Sequence, residues 1–434
     1  MAAGSQINSG RRAVALILDG LRRDFVTPEH TPNLVALKAR ATWCDSHRSV
    51  FPSVTRVVSS SFATGYRPSG HGLAGNTVAL LNGDDLELYD VGKPEFLGHK
   101  ERLTGHVLRQ PTLTERLAET GGAVIFNNVS PGAAYMHDPR GHGHVYHRAG
   151  SYGPGRKPIE GSDALSVAGD IAGDRAVLDR FIAEVVNTRK PAFALAWLGH
   201  PDTTQHEVAL GSPRHLEALK IVDGHAKLLI EAVDAARAAG EDILLLIGSD
   251  HGHQTVTGIV DIAGELVAAG LKDSAQSGDV VVAPNGTAAL IYVDRRNADR
   301  IPALGRFLGE QGWAGRVMGP DAFAAAGIPE GGGLAFAVAL KADDEGVNEF
   351  GVPGLSLAAK PVGGKADRLG CGQHGGLGRY EQSPFLILDG PGFARGHEIS
   401  AETSAIDIAP SILTFLDQPA DGLDGRALQN RQFA

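Results

Sequence analysis

Cysteine is nearly absent from this sequence, with Cys44 and Cys371 the only two in 434 residues. Two thiols make at most one bridge, so no disulfide framework can hold the fold, and the pair says little about compartment. Long apolar runs are also missing. No uninterrupted stretch reaches the length needed to cross a bilayer, and the opening MAAGSQINSGRR carries no apolar segment of the secretory kind. The expectation is a soluble, cytoplasmic protein with no membrane partner. Positive charge is short as well: 40 Lys+Arg stand against 50 Asp+Glu, for a formal net charge of −10. That balance argues against a nucleic-acid polymer as partner, since such a surface needs clustered cations. Local basic groups remain free to meet a small anion. There is no internal repeat and no low-complexity tail.

Glycine is what the sequence has in excess, at 57 residues, about double the usual share. Turns and tight loops must therefore be numerous. The chain is long enough for one elaborated α/β domain, or a main domain with a smaller one inserted. RAVALIL (12–18), 122–127, FALAWL (193–198), DILLLIG (242–248) and PFLIL (384–388) read as buried strands. Helices are expected near 112–120, 167–187, 213–239, 297–311 and 405–417, with another opening at Thr31-Pro32, Thr31 as its cap. Residues 42–50 look extended, and 77–110 read as a hairpin followed by a loop. After about Asn285 the texture changes. TAALIYV, a helix and GLAFAVAL suggest a small α+β cap over 285–365, set into a catalytic core of 1–284 and 366–434. Strands alternating with helices predict a mostly parallel sheet sandwiched by helices.

The stretch FPSVTRVVSSSFATGYRPSGHGLAGN (51–76) passes from an extended segment into a helix at Thr55. A hydroxyl there serves either as an N-cap or as an activated nucleophile beside free helix amides that attract an anion. The stretch alone does not separate the two. Asp19, Asp202 and Asp250 each lie just past a predicted strand, at the sheet edge where ligands collect. Asp202 and His206 share a face if their segment is helical; Asp250 and His251 can converge on a turn; His374 sits among glycines. Carboxylate oxygen with imidazole nitrogen suits zinc or manganese and holds too much nitrogen for magnesium or calcium. Six such ligands and a hydroxyl suit two ions. His137, His142, His144 and His147 fall in a glycine-rich loop whose spacing matches no standard metal site, and are expected to face solvent or substrate.

Taken together, Leu18-Asp19-Gly20, FPSVT, TGYRPSGHGLAGN, PDTTQH, SDHG and QHGG resemble the alkaline phosphatase superfamily. Within it they resemble the type I phosphodiesterase/nucleotide pyrophosphatase family, whose motif order they follow across most of the core. The resemblance implies a hydrolase with the alkaline-phosphatase-like fold and two Zn²⁺ (Mn²⁺ as the alternative). It assigns Asp19, Thr55, Asp250 and His251 to one ion and Asp202, His206 and His374 to the other. Thr55 would be the nucleophile that becomes a covalent phosphothreonine, and Asn76 a donor to a non-bridging phosphoryl oxygen.

One departure narrows the substrate. Many nucleotide-cleaving members place an aromatic residue directly after the nucleophile, whereas this chain has Arg56. Arg56 either clamps a second anionic group or lies on the surface. The expected partner is thus a small anionic phosphorus compound, with homo-oligomerisation left open. A phosphonoacetate-hydrolase-like carbon–phosphorus hydrolase or a phosphomonoesterase is the rival enzyme reading, and a non-catalytic metal-binding module the rival of another class. Sulfatase chemistry is disfavoured, because FPSVTR lacks the C/S-x-P-S/A-R context.

Overall fold

In the computed structural model, which describes residues 10–430, strand Arg11–Leu18 lies at the centre of a ten-stranded sheet. Its alternating side chains fall into two separate cores. Ala13, Ala15 and Ile17 enter one; Val14, Leu16 and Leu18 enter the other. This is the period-two signature of a strand buried on both faces. Helix Thr55–Thr64, through Val57, Val58 and Phe62, and helix Ile408–Phe415 cover the first face. The long helix Pro213–Ala238 and the helical segment Ile171–Arg189 cover the second, with Leu219, Val222, Leu229, Val177 and Phe181 fully buried. Each such aliphatic or aromatic side chain contributes about 1.5–3 kcal/mol.

Arg11–Leu18 pairs in parallel with Phe193–Leu198 on one side and Asp242–Gly248 on the other, and Ala123–Asn127 extends the parallel set. Leu386–Asp389 runs antiparallel beside Asp242–Gly248, and strands Thr42–Cys44 and His397–Ile399 finish that edge. The parallel strands therefore deliver Asp19, the 199–206 loop and Ser249–His253 to one edge of the sheet. Val280–Asn285, Ala288–Val293, Leu334–Leu340 and Ala314–Met318 build a second, antiparallel sheet with its own core under helix Ile301–Glu310. It starts at Val280, ahead of the boundary expected at 285. A third sheet joins Gln254–Val260 to Ala342–Val347, Pro353–Ala359 and Gly372–Gln373.

Local expectations fail in identifiable ways. Residues 91–110, read as loop, contain helix Phe96–Thr104; Phe96 and Leu97 bury one face, and Gly105 ends it at φ 80°. The helix expected over 112–120 is α-helical only over Leu113–Arg116. Thr31 does not cap its helix: its hydroxyl turns back, donating to Phe25 O and accepting from Thr27 N. The amides of Asn33 and Leu34 instead donate to the Asp223 carboxylate, at 3.1 and 2.9 Å. A charged acceptor at the positive end of the helix dipole replaces the hydroxyl there. The reading of the N-terminus falls largely on residues 1–9, outside the described residues. Among the described residues no helix is long and apolar enough to cross a membrane.

Candidate active site

Val54 is the last extended residue (φ −118°, ψ 141°) before helix Thr55–Thr64, and its own apolar side chain makes no cap bond. Thr55 is thus the first helical residue rather than the cap. Its Oγ1 lies 3.2 Å from His251 Nε2, and the residue is 4 % exposed. The neighbouring amide, Arg56 N–H, donates to Asn76 Oδ1 at 3.1 Å. That bond engages the acceptor end of Asn76 and leaves its Nδ2 protons for another acceptor. Asn285, buried at the end of its strand, fixes the Asn76 backbone. Its Oδ1 accepts from Asn76 N at 2.6 Å and Thr77 N at 3.2 Å, while Nδ2 donates to Thr77 O and Ala283 O. A Cβ on Gly75 would come within 2.6 Å of Asn285 Oδ1, so only glycine admits this approach.

At the edge of the central sheet, Asp19 Oδ2 accepts from Trp197 Nε1 at 2.9 Å, and Asp250 Oδ1 accepts from Gly20 N at 3.0 Å. The other oxygens, Asp19 Oδ1 and Asp250 Oδ2, are buried with no hydrogen-bond partner. They lie 3.5 and 3.1 Å from His251 Nε2. Burial, then the carboxylates of Asp250 and Asp202, push Asp19 well above the usual carboxylate range. Burial opposes the charged form of His251, but Asp250 and Asp202 outweigh it and raise that group. Several carboxylates sharing a buried site are stable together only with added positive charge.

Asp202 opens the short helix Asp202–Gln205, and His206 follows one turn later. His206, His253 and His374 point Nε2 at one atom, Asp202 Oδ1, from 3.3, 2.8 and 3.5 Å. Burial alone would raise Asp202, yet His206, His253 and His374 hold it well below its usual range. Three imidazoles are oriented by backbone carbonyls: His374 Nδ1 on Ser53 O at 2.7 Å, His206 Nδ1 on Gly372 O at 2.9 Å, His251 Nδ1 on Gly252 O at 3.2 Å. Those bonds place the proton on Nδ1 and leave Nε2 as the free lone pair, the arrangement of metal-binding histidines. His253 is the converse: its Nε2 meets Asp202 and its Nδ1 has no partner.

This donor set fits a metal. Asp202, His206, His253 and His374 form one group whose ligand atoms lie within 4.8 Å of one another, and Asp19, Asp202 and His251 form another. Orphaned buried oxygens on Asp19 and Asp250 supply acceptors that only a cation or donor would satisfy. His253 was not singled out from the sequence. Its one sequence signal was nearness: it lies two residues after His251, directly ahead of strand Gln254–Val260. Asn285 gave no such signal.

Arg56 is not a surface residue. Its Nε donates to Ser130 Oγ at 3.0 Å, and it lines a cavity of about 150 Å³ together with Asn76, His206 and His374. Lys365 and Arg368 stand in the same lining with Asp90, tied to Lys365 at 2.7 Å, and Asp367; among the described residues no Phe, Tyr or Trp lines it. The glycine-rich loop histidines do not join the site. His137 and His147 are buried, contrary to expectation: His137 bonds Ser59 Oγ and packs on Phe62 and Trp197, and His147 Nδ1 accepts from Ala149 N. His144 stacks near Tyr146, and His142 is exposed.

Residues 13–304 match the family model described as type I phosphodiesterase/nucleotide pyrophosphatase. The chain matches none of the curated proteins compared with it. Among solved structures it is similar to murine ectonucleotide pyrophosphatase/phosphodiesterase 5, at 16% identity and TM-score 0.69, covering 97% of this chain and 99% of that one. The human counterpart aligns at 14% identity and TM-score 0.65 over the same shares. An inactive variant of the murine protein, in complex with AMP, aligns at 16% identity and TM-score 0.68, again over 97% and 99%. At such identities these neighbours establish the fold, an alkaline-phosphatase-like α/β sandwich.

Proposed function

The chain belongs to the type I phosphodiesterase/nucleotide pyrophosphatase family of hydrolases, and from that premise we propose that Thr55 is the nucleophile of a metal-dependent hydrolase of phosphodiesters or related phosphorus esters. The observation that carries this reading is the position of the Thr55 hydroxyl. It lies 3.2 Å from His251 Nε2, beside the orphaned oxygens of Asp19 and Asp250. Asp19, Asp250 and His251, with Thr55, would hold one ion, and Asp202, His206 and His374 the other. Two zinc ions suit the mixed nitrogen and oxygen donors, with manganese as the alternative. When bound, such ions lower the pKa of a coordinated hydroxyl and neutralise charge on phosphoryl oxygens.

The residues then divide the work. Thr55 Oγ1, having lost its proton, bonds to phosphorus while the ester oxygen leaves with the bonding pair. Water later bonds to phosphorus and the threonine oxygen departs, which regenerates Thr55. Asn76 Nδ2, freed by the engagement of Oδ1 with Arg56 N–H, donates to a non-bridging oxygen, and the start of the helix adds its positive dipole.

A murine neighbour is described in complex with AMP, which supports a small phosphorus-containing substrate. The cavity lining favours a second reading within the fold. Without a Phe, Tyr or Trp to stack a base, and with Arg56, Lys365 and Arg368 outnumbering Asp90 and Asp367, it suits a second anionic group, as in a phosphonoacetate-like carbon–phosphorus substrate. A non-catalytic module is disfavoured by a hydroxyl held among candidate ligands. The test is a panel of bis-p-nitrophenyl phosphate, p-nitrophenyl phosphate and phosphonoacetate with elemental analysis of wild type and Thr55→Ala. The expected result is loss of turnover with near wild-type metal content. Undiminished turnover by Thr55→Ala would remove the nucleophile assignment, and a clear preference for phosphonoacetate would replace the diesterase reading.

A further inference from the structure

A second cavity of about 330 Å³ lies behind Gly72, Leu73 and Ala74, the segment that runs into Asn76. Leu73, Val78, Leu80 and Leu334, with Tyr292, give it an apolar lining, and Leu103 lies one turn from Lys100 on helix Phe96–Thr104. Lys100, His106 and Arg109 supply its nitrogen groups; the lone acid of the lining, Glu330, is exposed, and so is Arg109. Lys100 is 3 % exposed, and its ammonium makes one long contact, 3.4 Å to His106 O. Arg109 lays its stem on Gly72 and donates Nε–H to His106 Nε2 at 3.3 Å. Neither cation forms an ion pair with a carboxylate among the described residues. Burial, then the charge of Arg109, lower Lys100 to about 8.

A buried ammonium without a counter-charge is costly: it sheds its proton or gains an anion, and a carboxylate beside it would keep it charged. The cavity is larger than an inorganic anion requires, and its apolar lining offers such an ion nothing. We propose that this cavity is a binding site for an organic carboxylate with a compact apolar body, its head on Lys100 and Arg109 and its body against Leu73, Val78 and Leu103. The site is separate from the Thr55 centre and independent of the hydrolase reading.

The intact protein is titrated with octanoate by calorimetry, with acetate and inorganic phosphate as head-group controls. In parallel, acetic anhydride labelling of Lys100 is followed by mass spectrometry. Octanoate is expected to bind, to protect Lys100 from acetylation, and to outcompete both controls. Lys100→Met keeps the side-chain stem, so it should fold and retain wild-type turnover, yet lose about tenfold or more in octanoate affinity. Arg109→Gln should weaken binding in the same direction. Absence of octanoate binding at millimolar concentration, undiminished affinity in Lys100→Met, or phosphate binding as tightly as octanoate would each overturn the proposal.

Discussion

Asn285→Ala removes a side chain that never approaches the nucleophile, yet the geometry makes it matter for catalysis. Asn285 is 2 % exposed and makes four hydrogen bonds, two accepted from Asn76 N and Thr77 N and two donated to Thr77 O and Ala283 O. Truncation leaves two buried amides without their acceptor, each costing about 1–3 kcal/mol. The expected loss of stability is about 3 kcal/mol, with any water admitted to the space offsetting part of it. The kinetic effect is separate. Asn76 is held at two points, by Arg56 N–H at Oδ1 and by Asn285 at its own amide. Losing one lets its Nδ2 wander, and a displaced oxyanion donor costs roughly tenfold to a hundredfold in kcat. The assay is urea denaturation beside bis-p-nitrophenyl phosphate kinetics for Asn285→Ala, Asn76→Ala and the double variant. If Asn285 acts through Asn76, the double variant is little slower than Asn76→Ala. Additive losses, or a wild-type kcat in a destabilised Asn285→Ala, would refute the reasoning.

His253→Ala should weaken metal binding by about ten- to a hundredfold, because Asp202 loses the donor that orients it; a chelator titration unchanged from wild type would show that His253 has no such role. Gly286 has φ +68°, and a Cβ there would lie 1.9 Å from His374 O. Gly286→Ala is therefore expected to cost about 2–3 kcal/mol and to lower metal content, both readable from urea midpoints and elemental analysis. Burial raises Glu381 from 4.5 to about 7. The folded chain then keeps a proton that the unfolded chain releases, so this group's contribution falls as pH rises through that window, by about 3 kcal/mol in all. Buried His47, His71 and His137, lowered to about 3 by burial, act oppositely, losing stability as pH falls below 6.5. The wild-type minus Glu381→Gln difference isolates the first effect, and a flat difference would contradict it.

The sheet was legible because RAVALIL, FALAWL and DILLLIG are continuous apolar runs, and each ends at a turn with an acid just beyond. Parallel pairing then gathers those turns at one edge. Asp202 and His206 could be paired from spacing alone, since one helical turn separates them. Asn285 could not, because its partners lie 208 and 209 positions away in the chain and an asparagine ending a strand has no pattern of its own. The cap at Asp223 was hidden for the same reason, while Thr31 stood in the place where a cap is usually found. His137 and His147 misled through composition: glycine around them suggested an open loop, but Phe62, Trp197 and Tyr135 close over their rings.

Three imidazoles meet at a single oxygen of Asp202, and the same carboxylate completes the group of Asp19 and His251. Were both groups to hold a cation, the two positions would border one anion and would not be thermodynamically independent. Filling either changes the charge that the other sees, so stepwise loading should deviate from two identical binding steps, and the affinity measured for a second equivalent reports on the first.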